Sequence, residues 1–306
     1  MNGMGGTAES FRFDSAPSGA PGELIRLSPL IRRMVAPNPS PMTFTGTCTY
    51  VVGQGQLAII DPGPDHAGHV RALLAVLRSE TVAAILVTHT HRDHSPAARA
   101  LKAATGAPII GCAPASTPAR GEGPSIDAAN DEAYAPDAIL REGEAFEGAG
   151  FSLVCVETPG HAKNHLAFAL PQEKALFSGD HVMAWSTSVV VPPDGKMRHY
   201  LASLTKLLAR TDQLYWPGHG GPVPEPHAYV RALLNHRRSR EKSILAAVES
   251  GDHTVAAITG RVYKDLNPAL IRAAGLSVVA HLEHLMEQGL IRAEGRLGPE
   301  TLVHPA

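Results

Sequence analysis

The sequence has few cysteines, little net charge and no long apolar run, and each absence excludes a class of protein. Cys48, Cys112 and Cys155 are far apart and form no CxxC pair, so neither a disulfide framework nor a cysteine zinc site is expected. A formal net charge of −2 excludes a nucleic-acid binder that acts through overall positive charge. Because no run of about 18 apolar residues occurs, no transmembrane helix is predicted.

Features of an exported protein are also missing from the start of the chain. The first 25 residues contain neither a basic start nor an apolar stretch, so no signal peptide is predicted. Together with the unpaired cysteines, this favours a reducing cytoplasm and no contact with a membrane.

The composition changes along the chain and predicts three parts. Residues 1–23 are rich in Gly, Ser, Ala and Pro and are predicted to be a flexible N terminus. Residues 24–225 alternate between strand patterns, such as 151–157 and 166–170, and helix patterns, which indicates a layered α/β domain. Residues 226–306 contain three helical segments, the last at 277–288, and a β-like tail. This order is typical of a winged helix.

Histidine is unusually frequent, with 16 residues, and several of them form a cluster. The loop after a predicted buried strand reads HTHRDH and supplies His89, His91, Asp93 and His94. Layered α/β proteins place their sites at the carboxyl ends of strands. Imidazole and carboxylate ligands suit zinc, and also iron or manganese.

Three more candidate ligands each follow a predicted strand and a glycine: His161, Asp180 and His219. Seven ligands are too many for one catalytic zinc, which takes three from the protein. The sequence therefore predicts two metal ions per chain, bridged by one carboxylate, with a hydroxide between them as the nucleophile.

These motifs resemble the metallo-β-lactamase superfamily over about residues 24–225, and HxHxDH is the most specific element. The resemblance implies an αββα sandwich, followed here by the small winged-helix-like helical domain. It also implies that Asp61, in an Asp-Pro-Gly turn, orients a ligand histidine. The ligand set that it implies is His89, His91 and His161 for the first zinc, Asp93, His94 and His219 for the second, and Asp180 as the bridge.

Residues 38–50, 161–166 and 179–188 resemble one group more closely, that of lactamase-β-like protein 2. This group includes a mitochondrial endoribonuclease that acts on single-stranded RNA. Cys48 departs from the asparagine that the group usually has at this position. Asp180 replaces the cysteine or histidine of true β-lactamases, which argues against β-lactam hydrolysis. His91 replaces the glutamate of flavodiiron proteins, which argues against a redox iron centre.

Three functional hypotheses follow from these residues. The first is a zinc-dependent single-stranded RNA endonuclease, in which Asp93 or Asp180 aims the hydroxide and His165 is a candidate general acid. The second is a thioester or ester hydrolase like glyoxalase II, which has the same ligand set. The third is a non-enzymatic winged-helix binding protein, against which the complete ligand set argues.

The C-terminal residues 226–306 carry ten Lys or Arg and eight Asp or Glu, a net charge of +2. Because no Lys or Arg lies between 273 and 291, sequence-specific DNA binding is not expected. The cations at Arg237, Arg238, Arg240 and Lys242 form either a solvated helix face or a contact for an anionic substrate, either RNA or an acidic thioester. His281 and His284 are expected to be ordinary surface or interface residues. The helical C-terminal region could also form the interface of a homodimer.

Overall fold

The computed structural model describes residues 13–115, 130–264 and 271–306. Of the predicted N-terminal segment, residues 1–12 lie outside these ranges, whereas Ser18 is buried and its carbonyl accepts a hydrogen bond from Arg33. A first sheet has seven strands that neighbour one another in chain order, β1 to β7. They are Leu24–Arg26, Ile31–Val35, Cys48–Gln54, Gln56–Ile60, Thr81–Val87, Ile109–Gly111 and Ala138–Ile139.

A second sheet has five strands, numbered β8 to β12. They are Ala145–Gly148, Phe151–Glu157, Leu166–Leu170, Ala175–Gly179 and Leu214–Pro217. They lie in the order β12-β11-β10-β9-β8, with β11 and β12 parallel and the other pairs antiparallel. The predicted strands 151–157 and 166–170 are confirmed with the bounds that their sequence indicated.

Six α-helices lie in the described ranges, numbered α1 to α6. They are Ala67–Val76, Ala97–Thr105, Met197–Leu208, Pro226–Glu249, Val255–Val262 and Ile271–Glu287. Within the described part of the chain, no helix combines the length and the apolar character needed to cross a membrane.

The two sheets face each other and share an apolar core. Phe177 of β11 contacts Tyr50 of β3, with ring centroids 5.0 Å apart. The outer face of the second sheet carries small residues, such as Ala167 and Ala169 of β10, which lie in a second core with residues of α3 and α4. Since α1 and α2 cover the first sheet, the layers run helix, sheet, sheet, helix, and the predicted αββα sandwich is confirmed.

Helix α4 belongs to two cores. Val230 and Leu233 in its first half pack against the second sheet and α3, whereas Ile244 and Val248 in its second half pack with α5 and α6. Beyond α6, the strands β13 and β14 form an antiparallel hairpin, and they are Ile291–Ala293 and Val303–Pro305. Three helices and a hairpin in this order match the predicted winged-helix-like arrangement, of which residues 265–270 lie outside the described ranges.

Candidate metal centre

All seven predicted ligands lie at one edge of the sandwich, just after the carboxyl ends of strands. Strand β5 ends at Val87, and the loop that follows carries four of them. Strands β9, β11 and β12 end shortly before the other three, His161, Asp180 and His219. The fold therefore brings together residues that are separated by up to 130 positions in the sequence, from His89 to His219.

Three imidazoles form a first group of potential ligands, His89, His91 and His161. The Nδ1 atom of His91 lies 3.0 Å from Nε2 of His89 and 3.0 Å from Nε2 of His161. Burial lowers the pKa of His161 to about 4 and holds the pKa of His89 well below 6.5. Both rings are therefore neutral at pH 7, the form in which imidazole binds a metal.

Two carboxylates and two imidazoles form a second group, Asp93, His94, Asp180 and His219. Oδ2 of Asp93 lies 3.1 Å from Nε2 of His219 and 3.3 Å from Nε2 of His94. Burial acts to raise the pKa of Asp180, but His219 and His94 outweigh it and hold the pKa well below 3.8. The same carboxylates raise the pKa of His219 to about 10 against the effect of burial. The space between these carboxylates and imidazoles therefore favours a positive charge.

Asp180 lies between the two groups. Its Oδ2 is 3.4 Å from Nε2 of His219 and 3.7 Å from Nε2 of His161. Its Oδ1 is buried and lies 3.4 Å from Nε2 of His94. A carboxylate in this position can bridge two cations, which is the role that the resemblance implies for Asp180.

The spacing of these atoms fits metal ions. A tetrahedral zinc with ligands at about 2.0–2.1 Å requires ligand atoms about 3.3 Å from one another. Most of the contacts within the two groups lie near that length, from 3.0 Å between His89 and His91 to 3.4 Å between His94 and Asp180. Nitrogen and carboxylate donors that converge at this separation match the chemistry of a divalent ion.

Four of the predicted ligand imidazoles are held in place through the ring nitrogen that points away from the centre. Such outer contacts fix the tautomer and leave the other nitrogen free to bind a metal. The four contacts are Nδ1 of His89 with Oγ1 of Thr88 at 2.9 Å, of His94 with Oδ2 of Asp61 at 2.9 Å, of His161 with the Val189 carbonyl at 2.6 Å, and of His219 with the Gly46 carbonyl at 3.2 Å.

Asp61 has the position that the resemblance implied for an orienting residue. Besides the contact with His94, it accepts hydrogen bonds from the backbone N–H and the hydroxyl of Thr88, both at 2.8 Å. Its φ is 48°, in the left-handed region that few residues other than glycine adopt. Such backbone strain is typical of functional sites, where the surrounding structure holds it.

His165 does not fit the predicted role of general acid. It is buried, and its Nε2 accepts a hydrogen bond from the backbone N–H of Asp180 at 3.1 Å. Its Nδ1 lies 2.8 Å from Oγ1 of Thr158, and burial holds its pKa well below 6.5. With both nitrogens engaged, the ring positions the backbone of Asp180 and has no proton to give to a leaving group.

Two of the glycines that precede ligands are required by close contacts. Gly160 has a φ of 147°, and a side chain there would overlap the backbone of Tyr200. A side chain at Gly218 would overlap the carboxylate of Asp180. Glycine therefore lets the loops of His161 and His219 approach their neighbours closely.

Sequence reasoning missed Asp194 as a neighbour of the site. Its Oδ2 lies 3.5 Å from Nε2 of His91. Burial acts to raise its pKa, but hydrogen bonds from His91 and from the backbone of Lys163 lower the pKa to about 2. The Pro-Pro-Asp-Gly segment indicates a turn but gives no sign of a partner at His91, which is 103 positions earlier.

For Arg237, both predictions made for the cationic run on α4, a solvated face and a substrate contact, are wrong. This side chain is neither solvated nor available to a substrate: it is 3% exposed and donates to the Ser188 carbonyl. Arg240 donates to the Val262 carbonyl and lies over the ring of Tyr263. Arg238 and Lys242 are exposed, as a solvated face requires.

Solvent reaches the centre on the side of Asp93, whose side chain is 26% exposed, and His91, at 16%. Next to His219, the half-buried rings of Phe44 and Trp185 stack with centroids 5.0 Å apart, and Trp185 lies against Gly220.

Two family models match the chain. The model of the metallo-beta-lactamase superfamily matches residues 42–219, and that of the beta-lactamase associated winged helix domain matches residues 254–298. These matches confirm the resemblance that HxHxDH indicated.

Relatives and solved structures agree with these models. A beta-lactamase-like protein 2 homolog of Drosophila melanogaster is 30% identical over 91% of this chain and 95% of its own length. An atrochrysone carboxyl ACP thioesterase of Aspergillus fumigatus is 28% identical over 73% of this chain and 66% of its own length. A metallo-beta-lactamase family protein of Thermus thermophilus shares the fold, with a TM-score of 0.73 at 23% identity over 92% of this chain and all of that one.

Proposed function

Because the chain belongs to the metallo-β-lactamase superfamily of hydrolases, we propose that it hydrolyses its substrate with two divalent metal ions, preferably zinc, in this centre. The observation that carries the proposal is the position of Asp180 between the two ligand groups. The first ion would be held by His89, His91 and His161, the second by Asp93, His94 and His219, and both by Asp180.

Bound in this way, two such ions lower the pKa of water from 15.7 towards about 7 and polarise a carbonyl or phosphoryl oxygen. The chain's own residues complete the chemistry. Asp93 lies on the open side, where its carboxylate can accept a hydrogen bond from the attacking water and direct it. Asp61 keeps Nε2 of His94 aimed into the centre, and His165 keeps the backbone of Asp180 in place.

For the substrate, we propose an acyl thioester or ester. Arg237 and Arg240 are engaged within the protein and are not available to hold a strongly anionic substrate, whether RNA or an acidic thioester. A relative that matches 73% of the chain is named as an acyl carrier protein thioesterase. The name of this relative favours carbonyl chemistry over phosphodiester chemistry, and the engaged arginines favour an acyl group without strong negative charge.

Single-stranded RNA is the second candidate, and the stacked Phe44 and Trp185 favour it. Proteins that bind single-stranded RNA stack its bases on aromatic side chains, and these two rings are half-buried near Gly220. The resemblance to the lactamase-β-like-protein-2 group points to the same substrate.

The test compares both substrates on the zinc-loaded protein. An acyl thioester and a fluorescent single-stranded RNA are assayed with the unaltered chain, with Asp180→Asn, and with Glu241→Gln. Glu241 lies on α4, contacts His281 and His284, and belongs to neither ligand group. We expect thioester turnover that falls more than about 100-fold in Asp180→Asn, since loss of an outer partner alone costs about 10–100-fold. Glu241→Gln should keep the full rate.

If the unaltered chain cleaved RNA but not the thioester, and Asp180→Asn lost that cleavage, RNA would replace the thioester as the proposed substrate. Zinc binding without hydrolysis of either substrate would contradict both and favour the non-enzymatic winged-helix protein.

A further inference from the structure

Helix α4 reaches the metal centre through Arg237. The guanidinium is buried and donates from Nη2 to the carbonyl of Ser188. The next carbonyl in the chain, that of Val189, accepts the Nδ1–H of His161 at 2.6 Å, and Oγ of Ser188 lies 3.3 Å from the same nitrogen. The segment that Arg237 holds is therefore the segment that orients a predicted ligand.

Arg237 also reaches the centre by a second route. Its guanidinium lies over the ring of Tyr200, 5.2 Å from the centroid. The hydroxyl of Tyr200 donates to the carbonyl of His181 at 3.1 Å, and His181 directly follows Asp180. The backbone of Tyr200 is also the surface on which Gly160, next to His161, packs without room for a side chain.

From these contacts we propose that Arg237 is a positioning residue for the metal centre. It fixes the Ser188–Val189 segment behind His161 and, through Tyr200, the backbone beside Asp180. The C-terminal helical region thereby sets the geometry of the metal ligands, although it supplies none. This inference rests on the proposed function, because it requires that the centre binds metal.

An arginine suits this task for a physical reason. Its planar guanidinium can donate to a carbonyl at its edge while its face lies on an aromatic ring, which lysine does with less directional precision. Buried between two site segments, it can hold both at once. Contacts that hold a ligand histidine in place typically change metal affinity by about 10–100-fold when they are lost.

Arg240, on the same helix, provides a matched control. It donates from Nη1 to the Val262 carbonyl at 2.8 Å and lies 4.2 Å from the centroid of the Tyr263 ring. These are the same two kinds of contact, a carbonyl and an aromatic face. They lie within the C-terminal region and do not touch a ligand loop.

The experiment measures the zinc affinity of full-length Arg237→Met, Arg237→Lys and Arg240→Met by competition with a chromophoric chelator. The absorption spectrum of the cobalt-substituted proteins reports the ligand geometry. We expect Arg237→Met to weaken at least one of the two zinc sites by about 10–100-fold and to alter the cobalt spectrum. Arg237→Lys should recover part of the affinity, and Arg240→Met should bind zinc as the unaltered chain does.

Equal zinc affinity and equal cobalt spectra in Arg237→Met and the unaltered chain would overturn the proposal. So would an equal loss in Arg240→Met, since a general loss of stability would then explain both. If the unaltered chain bound no zinc, the proposed function itself would fail.

If Arg237→Met does not fold, Tyr200→Phe decides the question. It keeps the ring and removes only the hydroxyl that bonds to the His181 carbonyl. We expect about a 2- to 10-fold loss of zinc affinity, the effect of one hydrogen bond. An unchanged affinity in this variant would then overturn the proposal.

Discussion

Histidines gather with carboxylates at the strand ends and, elsewhere in the described chain, between helices α4 and α6. At the strand ends, the inward nitrogens face one another, as in the 3.3 Å between Nε2 of His94 and of His219. Between the helices, His281 and His284 both direct Nδ1 to Oε2 of Glu241, at 3.3 and 2.7 Å. In the first cluster, the inward nitrogens point to a common space between the side chains. In the second cluster, both Nδ1 atoms point to the carboxylate of Glu241.

The outer contacts of the rings explain the difference. Carbonyl, hydroxyl and carboxylate oxygens hold the outward nitrogens of the first cluster, so the inward ones are available to a cation. In the second cluster, Nε2 of His281 is buried without a hydrogen-bond partner among the described residues, and no outer contact aims its Nδ1. Four rings of the first cluster have such outer contacts, whereas in the second cluster only His284 has one, with Gln288.

The largest effect is expected from Asp61→Asn, which would make the first cluster resemble the second. Asparagine tolerates the positive φ of this position, so the backbone should be kept. Its amide can no longer accept hydrogen bonds from Thr88 and His94 together, and zinc affinity should fall by about 10–100-fold. Chelator competition measures this. Asp212→Asn, which alters a buried partner of Arg210, should leave the affinity unchanged.

Glycine substitutions separate the two regions by stability. Gly160→Ala combines a positive φ with overlap on Tyr200, and we expect it to lower the free energy of unfolding by about 1–3 kcal/mol. Gly275→Ala lies in α6, where the nearest atom to an added Cβ is Oγ1 of Thr259 at 3.8 Å. It should raise the free energy of unfolding by about 0.5–1 kcal/mol. Urea titration measures both changes, and the same sign in both variants would contradict the prediction.

The smallest effect concerns pH and the second cluster. Burial holds the pKa of His281 below its usual 6.5, so below that pH the unfolded chain binds more protons than the folded one. Burial acts to raise the pKa of Glu241, but hydrogen bonds from His281 and His284 outweigh it and lower that pKa. The contribution of the Glu241 carboxylate to stability is therefore also lost as the pH falls.

Stability should therefore decrease from pH 7 towards pH 4. His281→Gln should make this decrease shallower, on the order of 2 °C in Tm, as measured by thermal unfolding between these pH values. His199→Gln, at an exposed position of α3, serves as the control and should keep the original slope. An unchanged slope in His281→Gln would show that the second cluster does not couple to folding.

The fold was predictable where the apolar pattern is regular. Strand β9 has the bounds that its sequence indicated, whereas α6 already includes Ile271, six positions before the predicted start. The first turns of α6 contain Ala and Gly in place of large apolar residues, so the helical pattern is weak there.

The grouping of the candidate ligands was predictable because a short loop motif carries four of them, but the contacts that hold them were not. Val189 and Gly46 contact the histidines through their backbone carbonyls, which every residue type has, so the sequence does not indicate these contacts. For the buried side chains a signal existed. Arg237 follows Val230 and Leu233 on the apolar stripe of α4, and His281 follows Val278 on that of α6. Their positions in the stripes predict burial, although their residue types suggested the surface.

The most direct test of the central claim is anomalous diffraction at the zinc edge from crystals grown with zinc. Two peaks about 3.5–4 Å apart are expected on either side of the Asp180 carboxylate, with none at Glu241. A single peak, no peak at the strand ends, or a peak beside Glu241 would contradict the claim that only the first cluster is a two-metal centre.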